Sequence, residues 1–162
     1  MSQQKTEEAK CLVVVRVRGT VSALKETRET LELLRLTHTN HAILIDNRPA
    51  YKGMLQRASN YVTWGEVTKE TLVEMLTKRG RLAGDKKLSE NLEKVGYKSI
   101  DELADALVNC KVSYSKLPGI EARFKLHPPS KGYKGLTKKS FRTGGEAGYR
   151  GEAINDLVKR MI

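Results

Sequence analysis

CLVVVRVR, residues 11–18, decides the fold class. Side chains alternate across an extended strand, so Val13, Val15 and Val17 can face a core while Arg16 and Arg18 share the opposite face. Gly19 ends this strand. Ser22 is placed as the N-cap of a helix over roughly 22–37, with Leu24, Leu31 and Leu34 on one face and Leu33 and Leu36 widening it. HAILID, residues 41–46, contains the unbroken apolar run Ala42–Ile45, as expected of an interior strand. Pro49 suits the first turn of a second helix, where its missing N–H matters little. Ala50, Met54, Ala58 and Tyr61 fall on one side of that helix. Lys52, Gln56 and Asn60 fall on the other, with Arg57 at the edge. Val62–Val67 reads as a third strand. The order is β-α-β-α-β, which predicts an α+β fold with a small sheet covered by two helices.

The rest of the 162-residue chain differs in texture. Thr68 can cap a helix carrying Leu72, Met75 and Leu76, stopped by Gly80 as a C′ residue. A short helix is expected over Leu88–Val95. Ser99 and Glu102 have capping-box spacing before Leu103 and Leu107. This stretch reads as a helical insertion that packs or spaces. Ile120–Leu126 alternates as a strand, and Pro128–Pro129 ends it. A basic, glycine-rich loop follows, then a closing helix over Glu152–Met161. The expected division is 1–67 as core, 68–119 as helical insertion, and 120–162 as strand, basic loop and C-terminal helix.

Charge localises the function. The formal net charge is +11, and a charge that far from zero points to a polyanionic partner. Residues 1–67 net +3, residues 68–122 net +1, and residues 123–162 net +7. Between 123 and 142 stand Arg123, Lys125, Lys131, Lys134, Lys138, Lys139 and Arg142, with no acid. Such a segment resists folding on itself, and each cation laid on a phosphate displaces counterions. Gly132, Gly135, Gly144, Gly145, Gly148 and Gly151 permit close approach to a ligand surface. Tyr133, Phe141 and Tyr149, spaced among the cations, can stack on unpaired bases. A smaller acid-free surface is expected on the second helix, from Arg48, Lys52, Gln56, Arg57 and Asn60. Arg16 and Arg18 offer a third. Each of these smaller surfaces also suits an ordinary solvated face.

Other chemistries lack their signatures. His38 and His41 have no third ligand nearby, and His127 is distant in sequence, so no metal site or other cofactor is expected. TGGEAGYRG lacks the GK[ST] ending of a phosphate-binding loop. No GxSxG, HExxH or paired-carboxylate pattern appears, and Asp46 suits a turn better than catalysis. No segment approaches the roughly 20 apolar residues of a membrane span, and Met1–Lys10 has no apolar signal core, so a cytoplasmic protein without a membrane partner is expected. Cys11 and Cys110 lack CxxC partners and read as buried reduced thiols.

Longer strings carry a resemblance. IDNRPAYKGMLQRASNYVTWGEV, residues 45–67, resembles the central segment of the large-subunit ribosomal protein family numbered thirty in bacteria and archaea and seven in eukaryotes. VVVRVRG is similar to its first strand. GIEARFKLHPPSKGYKG and GGEAGYRGEAINDLVKRM resemble its longer archaeal and eukaryotic branch. The resemblance implies a compact β-α-β-α-β core related to the ferredoxin-like arrangement, with the helical insertion and basic C-terminal section as additions. The short N-terminus, with Glu7 and Glu8, fits an archaeal-type long form. The resemblance further implies a structural role in the large ribosomal subunit, binding 23S-type rRNA beside neighbouring ribosomal proteins, with 5S rRNA nearby. Matching positions for RNA contact are Arg48, Lys52, Gly53, Gln56 and Arg57. With the charge reading, the candidate RNA-binding set adds Arg16, Arg18, Arg123, Lys125, Lys131, Tyr133, Lys134, Lys138, Lys139, Arg142 and Arg150. Composition alone fits a chromatin or regulatory nucleic-acid binder equally well. An RNA-acting enzyme would need a polar catalytic cluster that the sequence does not display.

Overall fold

The structure, a computed structural model, describes residues 8–162. Of the N-terminal reading, residues 1–7 lie outside the described residues. The elements run β1 (Cys11–Arg16), α1 (Lys25–Leu33), β2 (His41–Asp46), α2 (Pro49–Arg57), β3 (Val62–Glu66), α3 (Lys69–Arg79), β4 (Arg81–Leu82), β5 (Lys86–Lys87), α4 (Ile100–Val108), β6 (Phe124–Lys125), β7 (Gly148–Tyr149) and α5 (Ile154–Met161). The main sheet has five strands in the order β6-β2-β1-β3-β7. β1 is antiparallel to both β2 and β3, with Val14 opposite Ile43 on one side and Trp64 on the other. β6 extends the sheet beyond β2, and β7 runs parallel to β3 at the far edge.

Burial corrects the reading of β1. All six of its residues are buried, and Val13, Val14 and Val15 are 0 % exposed. Leu12 and Val14 pack with Leu31, Leu34, Leu36, Leu55 and Ala58, the apolar side of α1 and α2. Cys11, Val13, Val15 and Val17 face α3, α4 and α5 through Leu72, Met75, Leu103, Leu107, Leu157 and Val158. The helices from residue 69 onward therefore do more than space the chain. They form a third layer that removes the second sheet face from water. Each fully buried Val contributes on the order of 1.5–3 kcal/mol, which both layers are needed to secure.

The strand edges of this second layer come from the C-terminal section. Gly65 lets it close, because a Cβ there would overlap the Gly151 carbonyl. Thr68 N and Glu66 O bond the Asn155 side chain at 2.9 and 3.0 Å, tying β3 to α5. Some local expectations shift. α1 begins at Lys25 without a side-chain cap, and Leu24 and Leu33 stand exposed. Leu88–Val95 forms two 3-10 turns, Leu88–Glu90 and Leu92–Val95, with Leu88 and Val95 buried in the core. Gly80 is extended and not left-handed; its lack of a Cβ admits the Leu88 side chain. Only Phe124–Lys125 of the 120–126 stretch pairs as strand, with Ile120 bridging to Leu82 of the unforeseen β4–β5 hairpin. Ser99 Oγ does accept from Glu102 N at 3.2 Å, but the Glu102 carboxylate reaches Lys98 N instead of closing on Ser99.

Candidate nucleic-acid interface

Two of the candidate cations are interior. Arg16 is 6 % exposed, and its guanidinium donates to the carbonyls of Arg18 and Leu36 and to Thr20 Oγ1, each at 3.0 Å. Burial lowers its pKa from the ordinary value. It closes the end of β1 over α1 and has no face left for a phosphate. Arg150 is 8 % exposed. It donates to Glu146 Oε2 and O at 2.7 and 2.6 Å and to Thr63 Oγ1 at 2.7 Å. The expectation that both present charge to a ligand is corrected by their burial and by these bonds, three to protein acceptors from each guanidinium, as an Arg withdrawn from water requires.

Glu146 also explains why the basic segment folds. This buried carboxylate accepts from Gly135 N at 2.8 Å, while its own N–H donates to the Leu136 and Lys139 carbonyls. One acid, outside the acid-free window, thus gathers residues 135–150 around a buried ion pair. Tyr133 anchors the start of this loop, donating to Asn40 Oδ1 at 3.1 Å and packing against the core. It is half-buried and does not present a stacking face as expected; burial raises its pKa.

The remaining cations divide between the two sheet edges. At the β6 edge, Glu121 lies 3.1 Å from Arg123 and 3.9 Å from Lys125, and Arg123 also donates to Thr37 Oγ1. Lys131 is exposed at the turn that follows, and Lys134 pairs with Asp156 at 3.8 Å. From there the chain passes under the end of α5, where Ser130 N donates to Arg160 O, and reaches the β7 edge. Four strand spacings separate the edges, on the order of 19 Å. The segment that looks continuous in sequence is therefore two surfaces.

The β7 edge is the stronger of the two. Lys138, Lys139 and Arg142 are exposed on the loop there, and Arg142 shares a groove with Lys52 and Gln56 of α2, whose exposed residues also include Gly53 and Arg57. Among the described residues, Arg57, Lys138, Lys139 and Arg142 belong to no ion pair within 4.0 Å. Arg48, at the start of α2, is partly spent: it donates to Asp46 at 2.6 Å and lies 5.4 Å from the Tyr51 ring centre. For Asp46, burial pushes the carboxyl up, but the hydrogen bonds and charge of Arg48 outweigh it and leave it below the usual range. Arg18 is half-buried and rests 5.1 Å from the Tyr61 ring centre.

Between α2 and the loop runs a groove of about 400 Å³. Leu55, Trp64, Phe141, Ala147 and Tyr149 form much of its lining, and among the described residues no acid lines it. The sequence reading missed Trp64, treating β3 only as a closing strand; an indole on a strand beside an acid-free helix was the available signal. Tyr149 donates to Glu66 Oε1 at 2.6 Å, and this bond pushes its pKa up to about 12. The Trp64 and Tyr149 rings are tilted against each other with centres 6.4 Å apart. A second groove shares Lys52, Trp64 and Tyr149 but includes Glu8 and Glu66. Among the described residues, no group of three or more His, Cys, Asp or Glu is placed to hold a metal, and no helix is long and apolar enough to cross a membrane.

Comparison with known proteins adds an independent line. The profile of the family described as ribosomal protein L30p/L7e matches residues 12–62. The chain is 49 % identical over 152 residues to the large ribosomal subunit protein uL30 of Thermofilum pendens, covering 93 % of this chain and 97 % of that protein. For the uL30 protein of Methanobrevibacter smithii the identity is 44 % over 152 residues, covering 93 % and 99 %. For that of Nanoarchaeum equitans it is 47 % over 152 residues, covering 92 % and 97 %.

Proposed function

This chain belongs to the ribosomal protein L30p/L7e family, and from that premise we propose that it holds large-subunit rRNA mainly through the β7 edge, between α2 and residues 138–149. It is a structural constituent of the large ribosomal subunit, where it associates with rRNA and other ribosomal proteins, and not an enzyme. The observation that carries this role is identity of 44–49 % across more than nine-tenths of the chain to archaeal uL30 proteins.

Placement of the RNA rests on charge that has no internal partner. Lys138, Lys139, Arg142 and Arg57 give phosphates unpaired cations, while Arg123, Lys125 and Lys134 are already paired on the protein. Surface pairs of that kind are weak, so the β6 edge serves as a second, lesser contact. Phosphate contacts fix orientation, and the A-form shape of the RNA sets which faces can meet. 5S rRNA is a second partner in this reading, on family resemblance alone.

Binding to an rRNA fragment measured over a salt series tests the placement. Replacing Lys138, Lys139 and Arg142 by Gln removes three phosphate contacts and should lower the magnitude of the log–log salt slope by about 2. Replacing Arg123, Lys125 and Lys134 should change it less. Equal effects would overturn the β7 edge as the main contact, and the reverse order would place the RNA on the β6 edge. Co-sedimentation with large subunits checks the role itself.

A further inference from the structure

We propose that the groove between α2 and the 138–149 loop takes one unpaired nucleobase of the RNA, stacked on Phe141 and Tyr149. This rests on the placement of RNA at the β7 edge and names what enters there besides phosphate.

The two rings are 39 % and 44 % exposed, among the few large apolar side chains left in water. Each is held by neighbouring side chains. Arg150 lies over the Phe141 ring with its guanidinium carbon 4.9 Å from the centre, and it does not line the groove. That guanidinium is itself fixed by Glu146 and Thr63. Tyr149 is fixed by its bond to Glu66 and by Trp64. Rings already immobilised lose little freedom when a ligand stacks on them. An exposed, preordered aromatic pair is suited to a π-face, and every base has one.

Charge separates the two adjoining grooves. The one containing Phe141 has Lys52 and Arg142 in its lining and, among the described residues, no carboxylate. The one on the other side of Tyr149 has Glu8 and Glu66, which would repel the flanking phosphates. Gln56 and Ser59 line the first groove and can meet donors and acceptors on the base edge. Lys138 and Lys139 lie on the same loop for the phosphates on either side. Paired bases are sealed within their own stack, so this site selects a bulged or looped-out nucleotide over a duplex.

The experiment uses the full chain and a short RNA duplex carrying one bulged 2-aminopurine, against the same duplex with that residue paired. The bulged probe should bind roughly tenfold more tightly, in line with alanine-substitution values for base stacking on an aromatic ring, and its fluorescence should be quenched on binding. Phe141→Leu and Tyr149→Leu should each remove most of the preference without changing the salt slope. Tyr149→Phe, which keeps the ring beside Trp64 and loses only the Glu66 bond, should retain most of it, so a folding defect in the Leu variants leaves a second readout. Equal binding of bulged and paired probes with the salt slope intact would overturn the base site and leave the phosphate placement standing. A salt slope unmoved by the Lys138, Lys139 and Arg142 replacements would overturn both.

Discussion

Gly53 should be a residue that stability and RNA binding pull in opposite directions. It lies inside α2, in helical conformation, on the exposed side between Lys52 and Met54. A Cβ built there meets no atom within 4 Å. Nothing in the fold therefore requires glycine, yet glycine in a helix interior costs about 0.8–1.0 kcal/mol relative to alanine. Gly53→Ala should stabilise the protein by roughly that amount and raise Tm by about 2–4 °C for a chain of this size. If RNA approaches α2 closely, the same methyl should weaken binding, and Gly53→Leu should weaken it further. Differential scanning calorimetry reads the first effect, and filter binding to an rRNA fragment at fixed salt reads the second. A loss of about fivefold corresponds to roughly 1 kcal/mol. Increased stability with unchanged affinity for both variants would refute close approach at Gly53. A drop in stability for Gly53→Ala would refute the reading of the helix itself.

Glu146→Ala should lower stability by about 3–5 kcal/mol, because it strands the buried Arg150 charge; a Tm within a few degrees of the parent would show that the pair is not structural. Arg16→Met should likewise destabilise the chain but leave the salt slope of RNA binding unchanged, and a flattened slope would return Arg16 to the interface. In the native state Cys11 should resist thiol reagents at pH 8, since burial first and the nearby Cys110 and Asp46 next push its pKa up to about 12; labelling of Cys11 before unfolding, mapped by mass spectrometry, would contradict its burial. Tyr149 carries a folded pKa near 12 against an ordinary value of 10.0. Its contribution to stability is complete below pH 10 and is lost as pH rises through about 12, so Tyr149→Phe should reduce the loss of stability over that window in alkaline melts; an identical alkaline decline in both proteins would argue against the Glu66 bond.

The strands and helices of residues 11–66 are close to what local pattern predicts, because alternation and helical periodicity are properties of neighbours. The β4–β5 hairpin was less legible: its strands are two residues each and leave no period to detect. β7 is equally short, and its pairing with β3 joins residues far apart in sequence. The expected RNA surface was partly legible. Lys52, Gly53, Gln56 and Arg57 are all exposed on α2, Lys138, Lys139 and Arg142 are exposed on the later loop, and Arg142 shares the groove with Lys52 and Gln56. Tyr133 and Tyr149 both read as stacking residues in the sequence, because their local settings look alike. Only the core contact of one and the open face of the other separate them.

By itself the sequence determined that this is a basic α+β protein with charge concentrated in its last quarter, and its long matching strings determined the family. Those are sums and patterns along one dimension. Tertiary structure alone decided which charges are available. Alternation in CLVVVRVR shows that β1 has two faces, but whether the one bearing Arg16 meets water depends on α1 and α2, which the chain supplies later. Because those helices cover it, Arg16 became an internal donor. Because β6 and β7 sit on opposite edges of one sheet, a continuous run of cations became two separate surfaces, and a groove lined by Trp64, Phe141 and Tyr149 appeared beside the one that carries Lys138, Lys139 and Arg142.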